Sequence, residues 1–435
     1  MCRARMLTAG VALALCATLT ACTSTRSHGG LTSFRGTQLE VVGAWSGTEQ
    51  ARFQAVLRQF ATRTGSSVRY TSAHGQVPAM LDARLVTGDP PDVALLPQPG
   101  LLRRYAAAGR LVPLNGETTA LVQRDYSPVW QSLATAGRRL YGVWFKAANK
   151  SLLWYDVGAF ERAGIAPPDQ LSGLFAAANT LKASGVTPFS LGGADQWTLT
   201  DWFENLYLQL AGPQSYDHLA AHQLAWTDSS VQSTLRLMAQ LLAPSLLRGG
   251  VAGTLHTSFE DSVARAFTTP PSAAMVAEGD FVASVIATRT HARIGTGVDA
   301  VPFPAAQRSI RAIVGGGDVA VQLRSSPAAA ELMRYLATPA AAAVWASAGG
   351  FISPNLGLDL SVYPDDLTRS IARNLLEVGD AFRFDLSDLQ PARFGSTPNA
   401  GMQGILRDFL INHDVLGTLR RLEDAAATAY AGIPR

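Results

Sequence analysis

The chain has 435 residues, 47% of them hydrophobic and 16% charged, a composition that suits a globular protein and excludes a disordered one. The formal net charge is only +3, and Arg3 and Arg5 at the extreme N-terminus supply two of those charges, so no basic surface for nucleic acid is expected. The three cysteines, Cys2, Cys16 and Cys22, all lie within the first 22 residues, which excludes a disulfide framework and a cysteine-based metal site or nucleophile in the rest of the chain.

The first segment is an apolar leader. Two arginines precede a run over 7–19, shorter than the roughly 20 residues a membrane-spanning helix needs. Leu19-Thr20-Ala21-Cys22 closes it. This ending resembles the lipobox of bacterial lipoproteins, which implies cleavage after residue 21 and lipid on Cys22. An ordinary signal peptide is the alternative. Residues 23–36 have no periodicity and read as a tether with a typical reach of roughly 20 Å.

A strand follows over 39–45. Ser46 and Glu49 have capping-box spacing, and Phe53, Val56, Leu57 and Phe60 make one apolar helical face that ends at Gly65. A strand over 68–71, a helix over 77–86, a buried strand over 92–96 and a helix over 101–108 come next. This alternation implies a mainly parallel sheet covered by helices. Residues 155–290 read as mostly helical. Strands return at 299–303 and 311–322, helices at 327–336 and 340–348, and the C-terminal part is helical.

Five segments together resemble an extracellular solute-binding protein of an ABC importer, of the carbohydrate-binding type. They are Gly88-Asp89-Pro90-Pro91-Asp92-Val93 with "RRYAAAGRLVPL"; Leu140-Tyr141-Gly142-Val143 leading to Leu152-Leu153-Trp154-Tyr155-Asp156; Gly185-Val186-Thr187-Pro188 with Gly192 to Trp197; Ala273 to Phe281; and Gly315-Gly316-Gly317-Asp318 with Gly349-Gly350-Phe351. "ADQWTLTDWFEN" and "AEGDFVAS" are most similar to α-glucoside and oligosaccharide binders, although Phe281 stands where many relatives have tryptophan.

The resemblance implies an α/β, two-lobed periplasmic-binding-protein fold of type II. Each lobe is expected to be a mainly parallel sheet flanked by helices. Lobe 1 comprises 37–147 plus 299–347, and lobe 2 comprises 148–298 plus 348–435. Hinge segments are expected near 145–151, 299–303 and 347–351. It further implies a monomer held on the extracytoplasmic face of the cell membrane by a lipid anchor. Its partners would be a sugar or oligosaccharide ligand and ABC permease subunits driven by a cytoplasmic ATPase. Neither cofactor nor metal is implied.

A sugar presents an apolar C–H face and a rim of hydroxyls, so aromatic rings beside planar polar groups are the residue types to seek. Trp45 and Ser46 end the first strand at the ligand-facing edge of a parallel sheet. Gln98 sits between prolines after the third strand. Trp144, Phe145, Lys146 and Asn149 lie at the first crossing, where hinge packing is the alternative. Asp195, Gln196 and Trp197 follow a glycine pair. Glu278, Asp280 and Phe281 combine two carboxylates with an aromatic ring, unless one carboxylate caps the next helix. Gly316 and Asp318 lie in a glycine run that would let backbone approach a ligand; no GK[ST] follows, so it is no P-loop.

An enzyme is the competing class. Glu278 and Asp280, separated by one glycine, do not suit carboxyls about 5 Å apart across a glycosidic bond. Neither G-x-S-x-G nor H-E-x-x-H occurs. His218 and His222 beside Asp217 read as an exposed helical face. The chain is therefore read as a binder, with a glycerophosphodiester or another polyol-type solute as the alternative ligand, and a surface glycosidase or a structural lipoprotein as the remaining classes.

Overall fold

The computed structural model describes residues 33–431, apart from 75 and 308–311. The leader, Cys22 and most of the tether lie outside the described residues. The strands in chain order are β1 (Gln38–Gly43), β2 (Ser67–Ser72), β3 (Val93–Leu96), β4 (Thr135–Ala136), β5 (Arg139–Leu140), β6 (Gly142–Asn149), β7 (Leu152–Asp156), β8 (Met275–Ala277), β9 (Val298–Pro302), β10 (Ile313–Gln322) and β11 (Phe382–Phe384).

The large sheet begins as two βα units. β1 lies between β2 and β3 and is parallel to both. Every residue of β3 is buried, as a strand covered on both faces must be. The helix Gly47–Thr64 buries Phe53, Val56, Leu57 and Phe60, the expected face, and ends at Gly65 with φ 73°. β10 then runs antiparallel to β3 on one side and to β6 on the other, and its first residues pair parallel with β11.

The small sheet corrects one expectation. β7 is central and antiparallel to both β8 and β9, where a mainly parallel second sheet was expected. Strand–helix alternation is what implies parallel pairing. Between β7 and β8 the described chain is helical, so that cue was missing there.

Two apolar cores result. The first gathers Val41, Phe53, Leu95, Trp144, Phe145, Val319 and Trp345. The second gathers Leu153, Phe189, Phe203, Trp226, Met275, Leu386 and Phe409. The small sheet divides them by face: Trp154 and Val276 belong to the first core, Leu153 and Met275 to the second. Lobe boundaries drawn at 148, 298 and 348 do not follow these cores. Phe351, Tyr363, Ile371, Leu375 and Phe384 pack in the first core, whereas Leu386 packs in the second. The chain therefore passes between cores at Phe384–Leu386. Ala346 and Phe351, on either side of the expected crossing at 347–351, both pack in the first core.

Candidate functional site

Strand β6 carries two lysines four residues apart around its end, Lys146 and Lys150. Each gathers carboxyls from distant segments, and the two knots that result lie beside aromatic rings.

The first knot surrounds Lys146. Its ammonium is paired with Glu49, from the first turn of the helix Gly47–Thr64. It lies 5.4 Å from the ring of Trp345 and 5.9 Å from that of Trp45. Asp318 is its cross-strand neighbour on β10. Burial pushes the Asp318 carboxyl up to about 7, with Lys146 opposing the shift. Burial also pushes Asp280 up to about 6 against the same lysine. Asp280 Oδ1 accepts the Asn149 N–H at 2.7 Å.

The second knot surrounds Lys150. Its ammonium donates to Asp201 Oδ1 at 3.1 Å and is paired with Asp385. It sits 5.5 Å from the Trp197 ring centroid, and Trp197 packs against Phe259 and Phe281 at 5.2 and 5.9 Å. Glu204 accepts the N–H groups of Leu386 and Ser387 at 2.9 and 3.1 Å. Burial raises Glu204 and Glu278 well above the usual carboxylate range, Asp201 to about 7 and Asp388 to about 8. Burial alone would raise Asp385 too, but Lys150 and hydrogen bonds from its neighbours hold it below its ordinary value. Oxygens of Asp201, Glu204 and Asp385 lie within 4.8 Å of one another, a spacing that could hold a metal ion. The Lys150 ammonium already supplies the positive charge there.

The sequence-selected residues divide by environment. Glu278, Asp280 and Asp318 join the knots, and Trp45, Trp197 and Phe281 supply aromatic surface beside them. Ser46 is exposed ahead of its helix and makes no side-chain cap. Trp144 lies between Trp130 and Phe384, and Phe145 among Phe53, Trp345 and Phe351. Both are about 1% exposed, so they are core. Asn149 is 1% exposed and its Oδ1 accepts the Ser151 N–H, which shapes the turn. Asp195 accepts the Phe259 N–H at 2.6 Å. Gln196 makes two hydrogen bonds to Asn399, at 2.7 and 2.8 Å. Gln98 donates to Asp388 Oδ1 at 2.7 Å and Ser396 Oγ at 2.8 Å.

The glycine run has a packing cause at two of its three positions. A Cβ at Gly315 would lie 2.3 Å from the Phe382 ring, and one at Gly317 would lie 2.4 Å from the Lys146 carbonyl oxygen. At Gly316 it would meet Lys150 Cε at an ordinary 3.5 Å. The surface hollows lined by Val112, Ser326 and Ala330, and by Thr119, Gln123 and Arg139, contain none of the selected residues.

Sequence reasoning missed Lys150, Asp201, Glu204, Asp385 and Asp388. One signal was available for the first: the chain has three lysines, and two stand four residues apart, on this strand and just past its end. Asp201 and Glu204 are buried in the helix Trp197–Ala220, where every residue from Thr198 to Gln209 is buried. Charges there at i, i+3 require a partner.

The family model described as bacterial extracellular solute-binding protein matches residues 44–343, a span holding both lysines and most of their carboxyl partners. This chain belongs to that family. Two curated relatives of this solute-binding protein cover most of both chains. The osmoprotective compounds-binding protein GgtB of Synechocystis sp. is 33% identical over 367 residues, 82% of this chain and 86% of its own. The alpha-glucosides-binding periplasmic protein AglE of Rhizobium meliloti is 30% identical over 378 residues, 83% of this chain and 81% of its own. Among solved structures, apo RafE of Streptococcus pneumoniae superimposes with a TM-score of 0.74 at 16% identity, covering 90% of this solute-binding protein and 98% of that chain. A chitin oligosaccharide binding protein superimposes at 0.73 with 18% identity, covering 91% and 99%. These likenesses show the two-domain fold.

Proposed function

We propose that this solute-binding protein captures a neutral sugar or oligosaccharide between its two lobes and delivers it to an ABC permease. The observation that carries the reading is the second knot: an aromatic cluster of Trp197, Phe259 and Phe281 beside buried carboxyls. Rings cover a sugar's C–H face, and carboxylates accept strong hydrogen bonds from hydroxyls. Glu278, Asp280, Asp318, Trp45, Trp197 and Phe281 are the contacts, with Ser46 and Gln98 at the rim. Trp144, Phe145, Asn149, Asp195 and Gln196 act by positioning. Residues 351–384 move with the lobe of the large sheet, whose strand β10 pairs with β11.

AglE, named for alpha-glucosides, supports a glucoside ligand. Calorimetry against maltose, raffinose and chitin oligosaccharides should give saturable binding to at least one. Silence across the panel would remove the sugar reading. GgtB is named for osmoprotective compounds, and a polyol-type solute is the second reading. Within it a glycerophosphodiester is disfavoured, because carboxyls outnumber the two lysines and repel an anion.

Cys22 anchors the protein to the outer face of the membrane. Two or more acyl chains hold firmly where one does not. Cys22→Ser should move the protein from the membrane fraction to the medium with sugar affinity unchanged.

A further inference from the structure

The charge of this chain is unevenly placed. Residues 97–145 carry six arginines against Glu117 and Asp125, a surplus of four positive charges in a chain whose whole net charge is +3. Arg104 and Arg124 pair with Asp82 and Asp125. Arg103, Arg110, Arg138 and Arg139 are exposed and meet no carboxyl among the described residues. Strand pairing puts the last three at one end of the large sheet. β1 and β3 are parallel, and β10 runs antiparallel to both β3 and β6. The starts of β1, β3 and β6 and the end of β10 therefore share an end, remote from Trp45 and the two lysine knots. The segment after Arg110 closes on it: the Val112 N–H donates to the Gln322 carbonyl at 2.8 Å, and the Leu114 N–H to the Leu140 carbonyl at 2.9 Å. A hollow there is lined by Leu114, Thr119, Gln123, Arg138 and Arg139. Two guanidinium groups among polar side chains are a donor set that suits a phosphate.

The tether enters at the same end. The Phe34 N–H donates to the Thr64 carbonyl at 2.7 Å, just before β1 begins. β3 and β10 lie between β1 and β6, so the two are three strand spacings apart, roughly 14 Å, within the tether's reach of roughly 20 Å. A permease that takes ligand from the cleft must meet the opposite end, which leaves this one to another partner. We propose that it is a membrane-contact face. Arg110, Arg138 and Arg139 lie against the phosphates of anionic lipid, one headgroup occupies the hollow, and the cleft is held away from the bilayer. The face depends on neither the sugar reading nor the acyl chain. An acyl chain on Cys22 would add only effective concentration.

Vesicle flotation of the protein released by Cys22→Ser tests it, with phosphatidylglycerol or phosphatidylcholine vesicles and no sugar present. At low salt the protein should float with the anionic vesicles alone, and high salt should release it. Arg138→Gln with Arg139→Gln should weaken that binding about thirtyfold, about fivefold for each charge. Arg236 and Arg420 are exposed arginines on the helices Ser229–Leu241 and Val415–Tyr430. Changing both to Gln removes the same net charge and should leave flotation in place. Equal losses in the two pairs would mean that net charge acts rather than this face, and would overturn the proposal. Equal flotation with neutral vesicles would overturn it too. No flotation at low salt would do the same and turn the patch toward an acidic protein partner, or toward free phosphate if calorimetry shows saturable binding of inorganic phosphate that the Arg138 and Arg139 changes remove.

Discussion

Lys150 is a single side chain on which several buried charges depend. Two carboxylates contact its ammonium directly, and each is about 2% exposed on its side chain. Removing one partner of a buried pair leaves the other charged and desolvated, a loss of about 3–5 kcal/mol. Lys150→Met should therefore lower unfolding free energy by that amount in urea titrations. A loss below about 1 kcal/mol, the range of an exposed pair, would mean that the knot is solvated. At this scale the sequence was partly legible. Glu278, Asp280 and Asp318 stood out because acids beside glycine and aromatics are unusual in apolar surroundings. Trp144 and Phe145 misled because β6 is buried on both faces over its first four residues. Inward and outward positions are then indistinguishable by alternation. Asp385 and Asp388 carry no local mark; long-range folding alone brings them to Lys150.

Among elements, the start of the helix Trp197–Ala220 is fixed by a contact across the chain. Gln196, at φ 62°, is joined by both ends of its amide to Asn399. Gln196→Ala removes both bonds and strands the Asn399 N–H, which should lower stability by about 1–3 kcal/mol. Hydrogen exchange should quicken at Asn399 and at the first turn of the helix, while amides of β1 and β3 keep their protection. Unchanged exchange at Asn399 would count against the link. The βα units at the N-terminus were readable because periodicity, cap and glycine stop agree over 39–65. The antiparallel small sheet was not, because β7 pairs with two strands more than a hundred residues further along the chain, and strand direction leaves no trace in composition.

For the whole molecule, the family fold predicts rotation of two lobes around the ligand. A ligand that bonds both lobes favours the closed form by its differential affinity. X-ray scattering with and without a bound sugar should show a smaller radius of gyration in the complex, and superimposable profiles would contradict closure. The freedom for such motion is written into β6 and β10. Paired antiparallel from Gly142 to Asn149, they run from the first core toward the second, with a register shift between Asp318 and Val319. Just before that shift, three successive residues of β10 have no side chain. Over Gly316–Asp318 β10 pairs with β6 alone, between the stretches paired with β11 and β3, and this short piece is a leaf spring: compliant out of its plane, stiff within it, and unable to slip because its hydrogen bonds hold the register. The lobes should therefore swing about one axis rather than shear. Lys146 sits on the spring and Lys150 just past its end, so flexing it changes the spacing between the two charged knots in the same movement.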